Sequence, residues 1–402
     1  MTTPRVPSAG LVGAWIALLI RGTLAGDDAL PSPAFRVRPG QSIQQALDLA
    51  AANPTNKHVI VETGTYRPAA KGQAFLWFNH RHDGVVLEAE GDVTLTAANP
   101  DLADREAASY PAVVNHVVYF GDGISRRTVL RGFKITGANN FVTDTPSPVP
   151  IEPRFNEFRS TEGTYGSLFF YSDGGGIKVF GRSYPTLERL VVHDNFASPC
   201  GAGISIEHRG FQEGAVVIRD CIFRNNRALV TGPAVDLLPG SSANLTNCLF
   251  VGNLSNRGDK HVPVKGNIDW PKIPELIRSA AGYLGVHGSG ALTVFTFSSV
   301  NVERCTFTAN SNGVDDRGQT NAYRNCLFWN NTAPGSARTG GRYELDIARA
   351  TNVVNCHIQG SIPDLRKTID PRRNTIGCED PKFDDAFRPT NPTFEKVGYR
   401  PS

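Results

Sequence analysis

The cluster that best suits chemistry on the coil surface is Asp315-Asp316-Arg317, two carboxylates followed by a guanidinium. They close the run Asn312-Gly-Val-Asp-Asp-Arg317, read here as a turn leading into a strand, with Glu303 and Arg324 on flanking segments. Such a set suits two reactions on acidic sugars. β-Elimination beside a uronate carboxylate needs a base near the C5 proton and positive charge on the acid group, often a Ca²⁺ held by carboxylates. Hydrolysis needs two carboxyls at a defined separation. On this reading Asp315 or Asp316 serves as base or Ca²⁺ ligand, with Glu303 as a further carboxylate. Arg317, Arg219 and Arg324 bind acid groups of the substrate. The competing reading is a charged turn held by its own hydrogen bonds.

The elements that must carry these residues are repeats. Cys221-Ile-Phe-Arg-Asn-Asn226, Cys248-Leu-Phe-Val-Gly-Asn253, Cys305-Thr-Phe-Thr-Ala-Asn310 and Cys326-Leu-Phe-Trp-Asn-Asn331 share one pattern. Cys356-His-Ile-Gln-Gly360 keeps the cysteine and lacks the Asn, and Leu190-Val-Val-His-Asp-Asn195 replaces Cys with Leu. Successive cysteines are 27, 57, 21 and 30 residues apart, the 57 fitting one coil plus an insertion. Each unit reads as three short strands rich in Val, Ile and Phe and bounded by Gly and Asn. The third strand recurs as Gly175-Gly-Ile-Lys-Val179, Gly201-Ala-Gly-Ile-Ser-Ile206, Gly232-Pro-Ala-Val-Asp-Leu237 and Gly290-Ala-Leu-Thr-Val294. Asn at a fixed place suits a left-handed bend, and asparagines stacked about 4.8 Å apart could form a hydrogen-bonded ladder. Units that contact only their neighbours define a solenoid.

That register gives an outward column on the first strands, two residues before each cysteine position: Glu188, Arg219, Thr246, Glu303 and Arg324, then Val354. Arg219 and Arg324 could hold a uronate chain, or Glu188–Arg219 and Glu303–Arg324 could neutralise one another on a solvated face. His208 and Arg209 occupy a turn several coils earlier, where His208 is a candidate substrate contact against the alternative of a plain surface histidine. In-register side chains point the same way and bridge poorly, so the five aligned cysteines predict a column of buried thiols rather than disulfides. Ser42 and Gln45 have capping-box spacing, and Ile43, Ala46, Leu47 and Ala50 line one face of a helix that would plug the first coil. Two insertions follow the ladder position, at about 140–173 and 254–286, the second with a short helix at 274–284.

The Cys-x-Phe-x-x-Asn strands, the Gly174-Gly-Gly-Ile177 type of third strand and the closing Asp380-Pro-Lys-Phe383 carry a family likeness. So do Phe35-Arg-Val-Arg-Pro-Gly-Gln-Ser-Ile43 and Ile60-Val-Glu-Thr-Gly-Thr-Tyr66. Over roughly residues 35–383 the chain resembles the right-handed parallel β-helix proteins of the pectate-lyase-like superfamily. The resemblance implies an all-β, single-stranded right-handed parallel β-helix with an N-terminal capping helix and two inserted loops. It also implies that any catalytic groups project from the first strand and the turn leading into it. The superfamily holds lyases, hydrolases, epimerases and non-catalytic binding proteins, so the fold does not choose among them. The polygalacturonase-like set of Asn-Thr-Asp, Asp-Asp, Gly-His-Gly and Arg-Ile-Lys is not present together; Asp315-Asp316 and His287-Gly288 are fragments of it. A full pectate-lyase set of three carboxylates with a downstream Arg is also missing.

Arg5, the apolar run Leu11–Ile20 and Thr23-Leu24-Ala25 have the layout of a secretory signal peptide over residues 1–25. The expected organisation is then a β-helix at 26–383 and a C-terminal tail at 384–402. Removing residues 1–25 takes Lys+Arg from 41 to 39 against Asp+Glu 38, a net charge of +1. Near-neutrality gives no argument for nucleic acid or an anionic membrane as partner. The sequence therefore predicts a monomeric protein, secreted, periplasmic or at the cell surface, without stable membrane insertion, whose partner is a polysaccharide. It acts on that polymer as a lyase or glycoside hydrolase, or binds it without turnover as a surface or envelope protein.

Overall fold

The computed structural model describes residues 34–102, 112–139, 173–197, 200–228, 231–255, 290–331, 344–347, 352–359 and 369–401. The expected signal peptide lies outside these residues. So do the helix at 274–284, His287-Gly288, and both insertions apart from Asp173 and Leu254-Ser255.

The described strands build a parallel solenoid of three main strands per coil, with a short extra strand after the ladder position at Phe196–Ala197, Arg227–Ala228 and Leu254–Ser255. First strands such as Val216–Arg219, Ser242–Thr246, Ser299–Glu303 and Thr320–Arg324 pair in parallel with one another. Second strands such as Ile222–Arg224, Leu249–Val251, Thr306–Thr308 and Leu327–Trp329 do the same. Third strands form a separate sheet, which among the described residues has eight members from Gly72–Phe78 to Leu345–Ile347. The first and second strands meet at a sharp bend. There Arg189, Asp220, Asn247, Arg304, Asn325 and Asn355 take φ between 52 and 56°. Asp and Asn, which tolerate that region best, fill four of the six places.

Inside each coil the side chains form columns. The rings of Phe223, Phe250, Phe307 and Phe328 stack with centroids 4.9, 4.3 and 5.0 Å apart. Cys221, Cys248, Cys305, Cys326 and Cys356 are free and buried, as the register predicts, and their thiols donate to strand carbonyls such as Arg219 O at 3.2 Å. The asparagine ladder is present: the Nδ2 of Asn195, Asn226, Asn253 and Asn310 donates to the Oδ1 of the next ladder Asn at 3.1, 3.0, 2.9 and 2.7 Å. Each Nδ2 also donates to a carbonyl of the previous coil, from Ile135 to Phe250. The reason given for Asn in the sequence needs correcting. The left-handed residue is the preceding one (Asp194, Asn225, Gly252, Ala309 or Asn330), so the ladder Asn is required for its amide and not its backbone. The ladder ends on Glu344, whose carboxyl accepts from both the backbone N and the Nδ2 of Asn331. That cap takes the place of the Asn missing after Cys356.

Both ends of the described solenoid are dressed by local chain. The helix Ile43–Ala52 buries Ile43, Ala46, Leu47 and Ala50, and Ser42 accepts from Gln45 N at 3.1 Å, half of the expected capping box. The C-terminal segment is docked over the outer side of the second strands. Tyr399 N donates to Thr306 Oγ1 at 2.8 Å, Asn247 and Arg400 exchange two bonds of 2.8 Å, and Phe394 covers His357. That cover explains why the outward Leu249 and Val251 are apolar and buried with Tyr399.

Candidate functional site

Asp315 and Asp316 do not stand in a turn. They end the third strand Asn312–Asp316, which pairs with Gly290–Val294 on one side and Leu345–Ile347 on the other. The strand alternation then sends the two carboxyls in opposite directions. Asp316 points into the core. Its Oδ2 accepts from the Tyr323 hydroxyl at 2.8 Å and its Oδ1 from Gly318 N at 2.7 Å. Burial raises its pKa while these bonds pull against it. Asp316 is therefore a satisfied structural carboxyl, not the exposed base or metal ligand expected.

Asp315 points outward and is nevertheless fully buried. Among the described residues neither of its oxygens accepts a hydrogen bond. Arg317 Nε lies 3.5 Å from Oδ1, while Arg317 Nη2 makes a 2.6 Å bond to Asp346 on the neighbouring strand. Burial drives the Asp315 pKa well above the usual carboxylate range, with Arg317 opposing and the charges of Asp346 and Asp316 adding. Burial thus favours the protonated form of this carboxyl, which lies next to an Arg–carboxylate pair. The side chains of Arg317 and Asp346 are 35% and 39% exposed, so this end of the row reaches solvent.

The strand register extends Asp315 into a row. Trp77, Tyr119, Lys178, Ser205, Asp236, Thr293, Asp315 and Asp346 occupy one outward position on successive third strands. At its middle, Lys178 Nζ donates to Glu207 Oε2 at 2.8 Å, and Arg209 holds the other oxygen of Glu207 at 2.8 Å. Asp173 accepts from Cys200 N at 3.0 Å, and burial pushes its carboxyl up to about 7 against the pull of Lys178. Burial, then the neighbouring Asp173, raises Asp236 well above its ordinary value. The row was readable only as the residue following the central aliphatic of each third strand, Ile177-Lys178 through Leu345-Asp346.

The first-strand column is a different surface. Arg219 pairs with Glu188 at 2.9 Å and Arg131 with the same carboxylate at 3.1 Å. Burial would raise the Glu188 pKa, but Arg219 and Arg131 outweigh it and hold the carboxyl below its ordinary value. Glu303 and Arg324 are exposed and in register on adjacent first strands, and among the described residues no ion pair joins them. The expected convergence of Glu303 and Arg324 with Asp315 fails, because they belong to another sheet. His208 is also corrected. It is buried, its Nε2 donates to Ser183 O at 2.9 Å and its Nδ1 accepts from Ser242 N at 3.2 Å. Burial lowers its pKa to about 4, so it is a neutral structural group rather than a substrate contact. Among the described residues no three His, Cys, Asp or Glu side chains converge as a metal site, and no helix is long and apolar enough to cross a membrane.

Residues 117–267 match the family model described as "Right handed beta helix region". The fold is a right-handed parallel β-helix. No curated protein sequence matches it. Among solved structures the β-helix is similar to PfbA, a surface adhesin of Streptococcus pneumoniae, at 11% identity and a TM-score of 0.33. That alignment covers 87% of this chain and 82% of the adhesin.

Proposed function

We propose that this β-helix acts on an extracellular polysaccharide at the Asp315–Arg317–Asp346 end of the outward row, by acid-assisted hydrolysis. The observation that carries the reading is the outward, buried Asp315 carboxyl without a hydrogen-bond partner among the described residues. A carboxyl kept neutral by burial can deliver a proton at neutral pH. Asp346 holds the same outward position one strand away, about 4.8 Å between Cα positions, so the row places a second carboxyl beside the first. Asp315 donates its proton to the leaving glycosidic oxygen as the sugar C–O bond breaks, while the Asp346 carboxylate, oriented by Arg317, faces the positive charge that develops on the sugar. A water then bonds to the anomeric carbon and its released proton restores the acid form of Asp315.

The test is incubation of the purified chain with pectate, alginate and sulfated glycans, in Ca²⁺ and in chelator. Hydrolysis yields new reducing ends without unsaturated ones, unchanged by chelator and lost in Asp315→Asn. Unsaturated ends, or no product from any of these polymers, would overturn it. Non-catalytic glycan binding is the second reading, favoured by the closed Lys178–Glu207–Arg209 pairing in the row's middle. It predicts glycan binding that Asp315→Asn leaves intact.

A further inference from the structure

At the other end of the row, Trp77 passes into a groove of about 580 Å³ beside the N-terminal helix, a volume within the usual range of small-ligand sites. Its wall combines the half-buried rings of Trp77 and Phe75 with the side chains of Gln44 and Gln73. Trp77 is held in place. Gln44 accepts from Trp77 N at 2.8 Å and donates to Trp77 O at 3.1 Å, the indole N–H goes to Ala74 O, and Tyr119 packs on the ring at 4.6 Å. The indole N–H is thus engaged within the protein, and what Trp77 offers a ligand is its apolar ring. Gln73 is buried and its carbonyl accepts from Asn115 Nδ2 at 2.6 Å. Among the described residues its own amide hydrogens have no partner.

The charges lining this groove have one sign. Arg67 and Lys71 are both exposed, and among the described residues neither has a carboxylate partner and no Asp or Glu lines the groove. An aromatic face suits the apolar face of a pyranose, an amide suits its hydroxyls, and two unneutralised cations suit a carboxylate or sulfate on the sugar. We infer that this groove is a binding subsite for an anionic oligosaccharide, separate from the Asp315 end. Along the row the two lie about 30 Å apart, six strand spacings. A polymer could therefore be held at the groove while another part of it meets Asp315. The groove requires no chemistry at Asp315, so either idea can fail alone.

Calorimetric titration of the full chain with a tetragalacturonate, a sulfated tetrasaccharide and a neutral tetraose tests the assignment. At least one anionic tetrasaccharide should bind ten-fold or more tighter than the neutral one, and which does so separates carboxylate from sulfate recognition. Arg67→Gln with Lys71→Gln should weaken it at least ten-fold, as should Trp77→Ala, while Trp77→Phe keeps most of the affinity. Asp315→Asn should leave the binding unchanged. The two cations are on the surface, so their replacement should leave the thermal unfolding midpoint where it was. No binding of either anionic sugar, equal binding of the neutral one, or full affinity in the Arg67/Lys71 variant would overturn the inference.

Discussion

Two outward rows on this β-helix carry charged residues in similar numbers, and they have opposite electrostatic characters. On the first strands, Glu188 lies between Arg131 and Arg219 and its carboxyl sits below the ordinary carboxylate range. On the third strands, Asp315 has no hydrogen-bond partner among the described residues and its carboxyl is pushed well above that range. The first arrangement is a solvated surface already neutralised by itself. The second holds a buried carboxyl in a costly state, the kind of departure from local consistency that marks functional positions.

The strongest way to break this contrast is by substitution in each row. Asp315→Asn should cut polysaccharide turnover by about 10²- to 10⁴-fold, the usual worth of general acid catalysis. Glu188→Gln and Arg219→Ala should leave turnover within about five-fold, what roughly 1 kcal/mol at a surface ion pair represents. Comparable losses in both rows, measured as initial rates of reducing-end release, would erase the distinction. A large effect on stability is expected from the frame that supports both rows. Asn253→Ala removes a donor and an acceptor from the ladder and leaves the amides of Asn226 and the Oδ1 of Asn310 short of partners. Several buried orphans at about 1–3 kcal/mol each put the loss at about 4 kcal/mol. Denaturant unfolding checks it, and a loss under about 1 kcal/mol would mean that the ladder is dispensable.

The rows should also separate by pH. Asp315 has a folded pKa above that of the unfolded chain, about 3.9. Its contribution to stability is complete below that unfolded value and is lost as pH rises toward the folded one. Relative to Asp315→Asn, the natural chain should therefore lose thermal stability between pH 4 and 8. Glu188 has the reverse sign: its depressed pKa adds stability above the unfolded value that is lost on acidification. Melting curves from about pH 2 to pH 8, for each variant against the natural chain, distinguish the two signs. The smallest effect belongs to Arg219→Ala, at most about 1 kcal/mol at low salt and close to nothing at 1 M.

The coil was legible because its signals repeat. Five cysteines, four phenylalanines and five ladder asparagines recur at one register, and burial of each column requires that register. The helix at Ile43–Ala52 was legible from its cap and its apolar face. The site was less so. Asp315 and Asp316 are neighbours of one type, and only strand pairing sends one into the core and the other outward. His208 has the composition of a turn residue, and its burial depends on Ser183 and Ser242, 25 and 34 residues away in sequence. The outward row draws one residue from each of eight third strands, so it has no local motif. The ladder's Glu344 cap comes from the residue just before the third strand Leu345–Ile347 and not from the repeat it completes.

The central claim is that Asp315 stays protonated in the folded protein at neutral pH. Infrared difference spectroscopy of the natural chain against Asp315→Asn measures it directly through the carbonyl stretch of a protonated carboxyl. Such a band is expected at pH 7 in the natural chain, lost in the variant and still present in Glu188→Gln. An Asp315 signal in the carboxylate region at pH 7 would contradict it.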